Sequence, residues 1–202
     1  MARHRTPPGS PRPRDTPSGP LRCRGLTLIE LLLVVSLLAM LAATTVPILI
    51  GASLPTQARE GAERIAAALR FARDESLRTA RPHGVSLTAN TDSDTLKVFV
   101  LDTSTLPPTP QFSVRHPLSR QEYAEALGSS SPFPAARADG QGFVSAMGST
   151  SQLLFTADGA PAILNGASLL RLSGASVWIR INAGAHSQNV LVATETGRVT
   201  LQ

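Results

Sequence analysis

Hydrophobic residues are concentrated in one long run near the beginning of the chain. Apolar side chains occupy almost every position from Leu26 to Val46, and Glu30 is the one charged interruption. A helix rises about 1.5 Å per residue and the hydrocarbon core of a bilayer is about 30 Å thick, so a run of this length can cross a membrane. The pattern therefore predicts a transmembrane helix over residues 26–50.

An amphipathic pattern follows a short stretch that is rich in helix breakers. Pro47 is predicted to kink the first helix, or to begin a short unwound stretch between residues 48 and 55, because proline removes a backbone hydrogen bond. From residue 56 to residue 81 apolar side chains recur at helical spacing, with charged residues on the other faces. The predicted buried stripe comprises Ala58, Ala62, Ile65, Leu69, Ala72 and Leu77.

Beyond residue 84 the pattern is that of short β-strands. Strands at 85–88 and 95–101 flank the acidic stretch 90–94, which predicts a hairpin with a turn stabilised by its Asn and Asp side chains. No glutamate stands where a calcium-binding loop would close, so a calcium site is not predicted there. Further strands are predicted at 151–156, 168–172, 176–181 and 189–193, with a last strand after a turn at 194–198.

These elements together predict an α+β fold. A long N-terminal helix, first transmembrane and then amphipathic, is expected to pack on an antiparallel sheet or sandwich in a domain that spans residues 84–202. Residues 103–140 are predicted to be a loop-rich insertion, because four prolines fall between Thr103 and Pro117. A short helix around Tyr123 is predicted for residues 118–127. Such a long surface loop is either a solvated insertion or a place of partner contacts.

The charge distribution sets the first 25 residues apart from the rest. The whole chain has a formal charge of +5, which by itself would suggest binding to nucleic acid or to an anionic surface. Residues 1–25, however, hold six arginines and one aspartate, and the remaining chain has thirteen basic and thirteen acidic side chains. By the positive-inside rule this basic segment lies in the cytoplasm, so the part after the predicted membrane helix lies outside it.

Glu30 is the most informative residue of the apolar run, because a carboxylate inside a membrane helix costs on the order of 2.5–3.5 kcal/mol. It either lies near the membrane surface, or it has a cationic partner. A cut after Gly25 would give Leu26 a free α-amino group one helical turn from Glu30. That amine could pair with Glu30 of the same chain or of a neighbouring subunit, which would suit a filament of parallel helices.

The stretch from Gly25 to Leu31 resembles the cleavage and methylation motif of type IV prepilins and type II secretion pseudopilins. The resemblance implies that a prepilin peptidase cuts after Gly25 and methylates Leu26, where the family usually has phenylalanine. It also implies that Glu30 guides subunit docking and that Pro47 is the helix-bending proline found in many pilins. The implied partners are the peptidase, an inner-membrane assembly platform, and the other pseudopilins or pilins of a hetero-oligomeric filament.

A second resemblance lies in the C-terminal half. The stretches 155–159 (Phe-Thr-Ala-Asp-Gly) and 196–199 (Thr-Gly-Arg-Val) are similar to those of the GspH/FimT family of minor pseudopilins and minor pilins. This resemblance implies a pilin helix followed by a β-rich domain. It implies a single-pass protein of the bacterial inner membrane, with a periplasmic domain that assembles into a periplasmic pseudopilus.

Catalysis is not predicted. The four histidines at positions 4, 83, 116 and 186 are scattered, and no His and Glu stand at metal-ligand spacing. The hydroxyls of residues 148–151 have no identifiable base beside them, and no phosphate-binding glycine loop is present. We therefore expect neither a metal site nor a cofactor.

Two functions remain open after these exclusions. The first is a structural subunit at or near the tip of a type II secretion pseudopilus, which serves protein export across the outer membrane. The alternative is a FimT-like minor pilin of a type IV pilus that binds DNA in natural transformation. DNA binding needs several cationic contacts to phosphate, yet only Arg171, Arg180 and Arg198 follow residue 150. Arg198, in the terminal turn, is the candidate nucleic-acid contact, and the sequence ranks secretion first.

Overall fold

The computed structural model describes residues 27–202, and it describes their side chains except at positions 42–52. The chain divides into two compact units, with the boundary between Thr44 and Thr45. The predicted sites at Gly25 and Leu26, and the side chain of Pro47, lie outside the described residues.

One helix, α1, runs from Leu28 to Thr79 and comprises 52 residues. It joins the two predicted helical segments and continues through residues 48–55, so the unwound stretch suggested by the sequence is not found. The kink at Pro47 stays a prediction. Within the part of the chain that the structure describes, no helix is both long and apolar enough to cross a membrane. Leu26 and the side chains of 42–50, which belong to the predicted span, lie outside that part.

The remainder of the chain forms short strands. They are β1 (His83–Ala89), β2 (Ser93–Asp102), β3 (Thr109–Gln111), β4 (Ala124–Gly128), β5 (Arg137–Ala138), β6 (Phe143–Ser145), β7 (Gly148–Thr150), β8 (Gln152–Phe155), β9 (Pro161–Asn165), β10 (Ser168–Arg171), β11 (Val177–Ala183), β12 (His186–Val192) and β13 (Val199–Leu201). The predicted strands correspond to β1, β2, β8 and β10 to β13, whereas β3 to β7 and β9 are found where no strand was predicted.

Among the described residues the strands build two antiparallel sheets. The first has seven strands in the order β10-β9-β8-β1-β2-β3, and β4 also pairs with β2. The second has six strands in the order β13-β12-β11-β6-β7, and β5 also pairs with β11. The predicted hairpin is β1 and β2, with Val85 opposite Val98 and Leu87 opposite Leu96. The predicted α+β fold with antiparallel sheets is confirmed.

The C-terminal half of α1 is the centre of the hydrophobic core. Five of the six residues of the predicted stripe are buried, but Leu77 is 45% exposed and Ser76 is buried in its place. Ser76 follows Ala72 by four residues and so continues the alternation of three and four that keeps side chains on one helix face. Its hydroxyl donates a hydrogen bond to the carbonyl of Arg73 (2.6 Å), so this buried position tolerates a polar residue.

Gly61 allows α1 to approach both sheets closely. A Cβ atom at this position would lie 3.0 Å from Ala136 Cβ, 3.3 Å from Ile181 Cγ2 and 3.4 Å from Leu127 Cδ2. Leu127 belongs to the first sheet and Ile181 to the second. The two sheets therefore share one core through this face of the helix.

The prediction of a short helix at residues 118–127 is wrong. Residues 124–128 form β4, which pairs along β2 from Lys97 to Ser93. Tyr123 donates its N–H to the carbonyl of Val114 and accepts from the N–H of Val98 through its own carbonyl (2.9 and 3.0 Å). Pairing with β2 satisfies the hydrogen bonds of these backbone groups, and burial of Tyr123 and Leu127 adds apolar stabilisation. These tertiary contacts override the local sequence pattern on which the predicted helix was based.

The predicted loop-rich insertion at 103–140 is thus built into both sheets, since it supplies β3, β4 and β5. Its proline-rich first part contributes only β3, which pairs with β2 alone, as expected for a strand that contains Pro110. Ala136, near its end, is fully buried against the core.

A buried carboxylate holds the end of this insertion. Asp94, which the sequence placed in a simple turn, is buried and accepts hydrogen bonds from Arg137 Nε (3.1 Å) and Nη2 (2.9 Å) and from the N–H of Ala138 (2.7 Å). Arg137 also donates to the carbonyls of Thr91 and Asn90. The hydrogen bond to Asp94 is the main reason that the pKa of Arg137 is raised. The pair ties the β1–β2 turn to β5.

We expect Asp94→Asn to lower the free energy of unfolding by about 1–3 kcal/mol, because it weakens charge-assisted hydrogen bonds of a buried acceptor. Denaturant unfolding of the full chain in mild detergent measures this loss. Asp92→Asn is the matched control, since Asp92 lies exposed in the same turn and should change stability by less than about 0.5 kcal/mol. Equal effects of the two substitutions would contradict a structural role for the buried pair.

Candidate functional site

The beginning of α1 is capped by Thr27. Its hydroxyl oxygen accepts a hydrogen bond from the backbone N–H of Glu30 (3.3 Å), and its carbonyl accepts from the N–H groups of Glu30 and Leu31 (both 3.1 Å). Thr-x-x-Glu is the pattern of a capping box, which the sequence analysis missed although the signal was present. Glu30 therefore lies in the first turn of the helix, where the partial positive charge of the helix N-terminus favours a carboxylate.

The helix after this cap presents uncovered apolar side chains. Between Leu28 and Leu41 the large hydrophobic residues are between 46% and 78% exposed. Ser36, a polar residue within the run, donates its hydroxyl to the carbonyl of Leu33 (2.8 Å), so it needs no outside partner. A continuous exposed apolar surface of this kind indicates contact with lipid or with other helices.

The two C-terminal sequence stretches that carry the family resemblance lie against each other. In the first, Thr156 donates its N–H to the carbonyl of Ala160, and Gly159 donates its N–H to the carbonyl of Thr156 (both 2.8 Å). The Thr156 hydroxyl donates to the carboxylate of Asp158, and this bond is the main reason that the pKa of Asp158 is lowered, with Arg171 adding to the effect. The result is a closed turn between β8 and β9.

The second stretch forms a tight turn between β12 and β13. Gly197 donates its N–H to the carbonyl of Ala193 (2.8 Å), and Ala193 donates its own to the carbonyl of Arg198 (2.9 Å). Gly197 has φ = 67°, which favours glycine. A Cβ atom there would overlap the carbonyl oxygen of Gly159 and would lie 3.0 Å from Nε of Arg73 on α1. The two turns therefore contact each other beside the helix, and glycine is needed for the approach.

Arg198 is the most available of the three arginines that follow residue 150. Arg171 forms an ion pair with Asp158 (3.0 Å), and Arg180 donates to Asn189 (3.2 Å) while its guanidinium lies over the ring of Trp178 (5.3 Å). The Arg198 side chain is exposed and has no ion-pair partner among the described residues. One such arginine is a small electrostatic footprint for a nucleic acid.

The histidines do not form a shared site. His83 is buried, with Nδ1 2.9 Å from the carbonyl of Arg81, and burial is the main cause of its lowered pKa. His116 lies in the segment between β3 and β4, and His186 is exposed at the beginning of β12. Across residues 27–202, no group of three or more His, Cys, Asp or Glu side chains is arranged to hold a metal ion.

Comparison with known families gives two matches along the chain. The family described as Prokaryotic N-terminal methylation motif matches residues 20–46. The family described as Type II transport protein GspH matches residues 61–194, which is more than half of the chain. The first match covers Gly25, Leu26 and Glu30, and the second covers most of the core and all strands except β13.

Two solved structures are similar in fold, both of the type IV minor pilin FimU from Pseudomonas aeruginosa strain PAO1. The crystal form in space group P65 is 18% identical, with a TM-score of 0.43, and the alignment covers 71% of this chain and 91% of that one. The form in space group P21 is 17% identical, with a TM-score of 0.44, and the alignment covers 74% and 91%. No curated protein matches the chain.

We expect Gly197→Ala to destabilise the fold by more than about 3 kcal/mol, because the added methyl group overlaps a backbone oxygen in addition to the cost of a positive φ. Gly166→Ala is a close control: Gly166 has φ = 61° but has no atom within 4 Å of a Cβ position. That control should lose only about 1–2 kcal/mol. Thermal unfolding of the full chain compares the two, and similar losses would show that the contact between the turns is unimportant.

Proposed function

We propose that this chain, which belongs to the family of type II transport protein GspH, is a minor pseudopilin of a type II secretion system. Members of the family are structural subunits of the pilin and pseudopilin type. The proposed role is to assemble with other pseudopilins, near the tip of a periplasmic pseudopilus, for protein export across the outer membrane. The observation that carries it is the uncovered apolar helix with one carboxylate in its first turn.

Assembly explains why this surface is left uncovered. In the proposal, residues 26–50 first anchor the chain in the inner membrane, with the basic residues 1–25 in the cytoplasm and the β-rich domain in the periplasm. The prepilin peptidase removes residues 1–25 and methylates Leu26. The helix then leaves the lipid and packs against those of neighbouring subunits, which cover the same apolar side chains.

Glu30 gives this packing its register. Inside a bundle of apolar helices a carboxylate must be neutralised, and the amine of Leu26 is the nearest cation that processing creates. We propose that Glu30 pairs with that amine in its own or a neighbouring subunit, and that Pro47 adjusts the direction of the helix during packing. In this role the chain needs no catalytic residue and no cofactor.

The secretion role is proposed ahead of DNA uptake because of the C-terminal arginines. Arg171 and Arg180 are engaged with Asp158 and Trp178, and the exposed Arg198 stands alone in its turn. Specific DNA binding would need more phosphate contacts than one side chain supplies.

Substitution of Gly25 tests the proposal directly. We expect Gly25→Val to block processing, so that the intact mass of the membrane-extracted protein includes residues 1–25 and secretion fails. The proposal places a small residue directly before the cut, so Gly19→Val, in the same leader but away from the cut, should leave processing unchanged. Intact-mass spectrometry identifies the first residue and its methyl group. A mature protein of the Gly25 variant that begins at Leu26 would refute the assignment of the cleavage site.

We expect only weak DNA retention by the processed full chain in a gel-shift assay in detergent. If Arg198 makes the one phosphate contact, a plot of the logarithm of the binding constant against the logarithm of salt concentration should have a slope of about −0.9. Arg198→Ala should then abolish this weak DNA retention. Arg78→Ala is the control, because Arg78 is an exposed arginine paired with Glu75 on the helix. Tight binding with a much steeper salt dependence would favour the type IV pilus alternative.

A further inference from the structure

A hairpin of residues 112–123, here called the protruding hairpin, leaves the edge of the first sheet. Strand β3 pairs with residues 100–102 of β2, and β4 pairs with residues 93–97. Both strands run antiparallel to β2, so the chain between them departs from the edge and returns to it. Arg115 and Glu122 face each other as an isolated bridge between its two arms.

The base of the protruding hairpin is fixed to the core. The Tyr123 ring stacks on Phe71 of α1, with 4.9 Å between ring centroids. The His116 ring also packs against Tyr123, with 4.8 Å between their centroids. Tyr123 is buried, and desolvation raises the pKa of its hydroxyl. The hairpin is therefore held by packing as well as by backbone hydrogen bonds.

The tip is organised around the His116 side chain. Its Nδ1 accepts hydrogen bonds from the N–H groups of Leu118 (3.2 Å) and Ser119 (3.4 Å). The backbone N–H of His116 donates to the carbonyl of Gln121 (2.8 Å), and the carbonyl of His116 accepts from the N–H of Arg120 (2.9 Å). The tip is thus already ordered, yet it presents Leu118 with 88% of its surface exposed. Order in the free state reduces the entropy lost on binding.

A second exposed apolar side chain lies near the base. The Phe112 ring packs edge-on against Phe99, with 5.7 Å between centroids, and it is 37% exposed. The ammonium group of Lys97 lies over the same ring, 5.7 Å from its centroid. The base of the protruding hairpin therefore has an exposed aromatic ring with a cation beside it.

The cations of this surface are unpaired. Among the described residues, Lys97, Arg115 and Arg120 have no carboxylate oxygen within the 4.0 Å of an ion pair, whereas the neighbouring Arg64 lies 2.9 Å from Glu125. Glu122 is the acidic residue of the hairpin itself. The hairpin itself thus has two unpaired arginines and one glutamate, and at its base Lys97 is matched by Asp102, which accepts a hydrogen bond from Gln111 (2.7 Å). Leu118 is therefore flanked in sequence by two unpaired cations, Arg115 and Arg120.

We propose that the protruding hairpin is a docking element for a folded protein partner that presents an apolar pocket for Leu118 and carboxylates around that pocket. Charge complementarity defines the rim of the partner site, and the ordered leucine defines its centre. A nucleic acid fits less well, because the aliphatic side chain of Leu118 offers no stacking platform for a base. The proposal is independent of the processing at Gly25 and of the terminal turn at Arg198.

Site-specific photo-crosslinking in the native cell tests the proposal with the full chain. A photoreactive residue replaces Leu118, and the control replaces Leu77, which is also an exposed leucine but lies on α1 away from the hairpin in sequence. We expect a protein adduct at position 118 and none of the same mass at position 77. Mapping of the adduct by mass spectrometry should find an apolar patch flanked by Asp or Glu.

Charge reversal then separates docking from incidental proximity. The double substitution Arg115→Glu and Arg120→Glu should reduce the yield of the adduct at least tenfold, and Arg198→Glu, a reversal at an unrelated exposed arginine, should leave it unchanged. Lysine substitutions in the mapped carboxylates should restore the yield with the double variant. Thermal unfolding confirms that each variant is folded. Absence of an adduct, an adduct to nucleic acid or lipid, or an adduct insensitive to charge reversal would overturn the proposal.

Discussion

Close approach between α1 and the two sheets is the constraint on which the rest of the fold depends. The helix face that enters the core carries alanine, glycine and few large side chains, so its backbone comes near enough to touch Leu127 of one sheet and Ile181 of the other across Gly61. A larger residue there would push the helix away from Leu127 on one sheet and from Ile181 on the other. The sheets themselves are made of short strands, several with only three residues, which have little stability alone. Packing on the shared helix stabilises them, together with the Asp94–Arg137 pair that joins the two sheets.

The same helix has two chemically different parts, and this difference connects fold to function. In the stripe from Ala58 to Ala72 its apolar side chains are buried against the sheets, and polar residues of this part make local pairs such as that of Arg59 and Glu63. From Leu28 to Leu41 the apolar side chains are uncovered. Soluble monomers rarely expose a continuous apolar surface of this kind, so this surface is expected to contact another molecule. In the proposed function, lipid before assembly and neighbouring helices after it are the two environments that suit this segment.

Sequence reasoning succeeded where the determining interaction was local. The helical stripe from Ala58 to Ala72 and the hairpin of β1 and β2 follow from periodicity and turn residues, which act over a few positions. It failed where the partner was distant in sequence: Asp94 resembles an ordinary turn residue until Arg137, 43 positions away, is placed beside it. The helix predicted around Tyr123 failed for the same reason, because β2 supplies the backbone partners that make β4 a strand. The hydroxyl of Thr27, in contrast, belonged to a local capping pattern that the sequence already contained.

The contact between the two C-terminal turns changes what the family resemblance signifies. The glycines at 159 and 197 lie in stretches that could be taken for a binding motif, yet both have positive φ. A Cβ at Gly197 would overlap a backbone oxygen, and a Cβ at Gly159 would lie 3.1 Å from the side chain of Leu77. Their presence is explained by the approach of the turns to each other, to Leu77 and to Arg73, which is a requirement of packing. A motif explained by packing supports the fold and is silent about a ligand. Specificity for a partner must therefore arise from side chains that the core does not need, and the exposed ones at the protruding hairpin and along the first turns of α1 meet that condition.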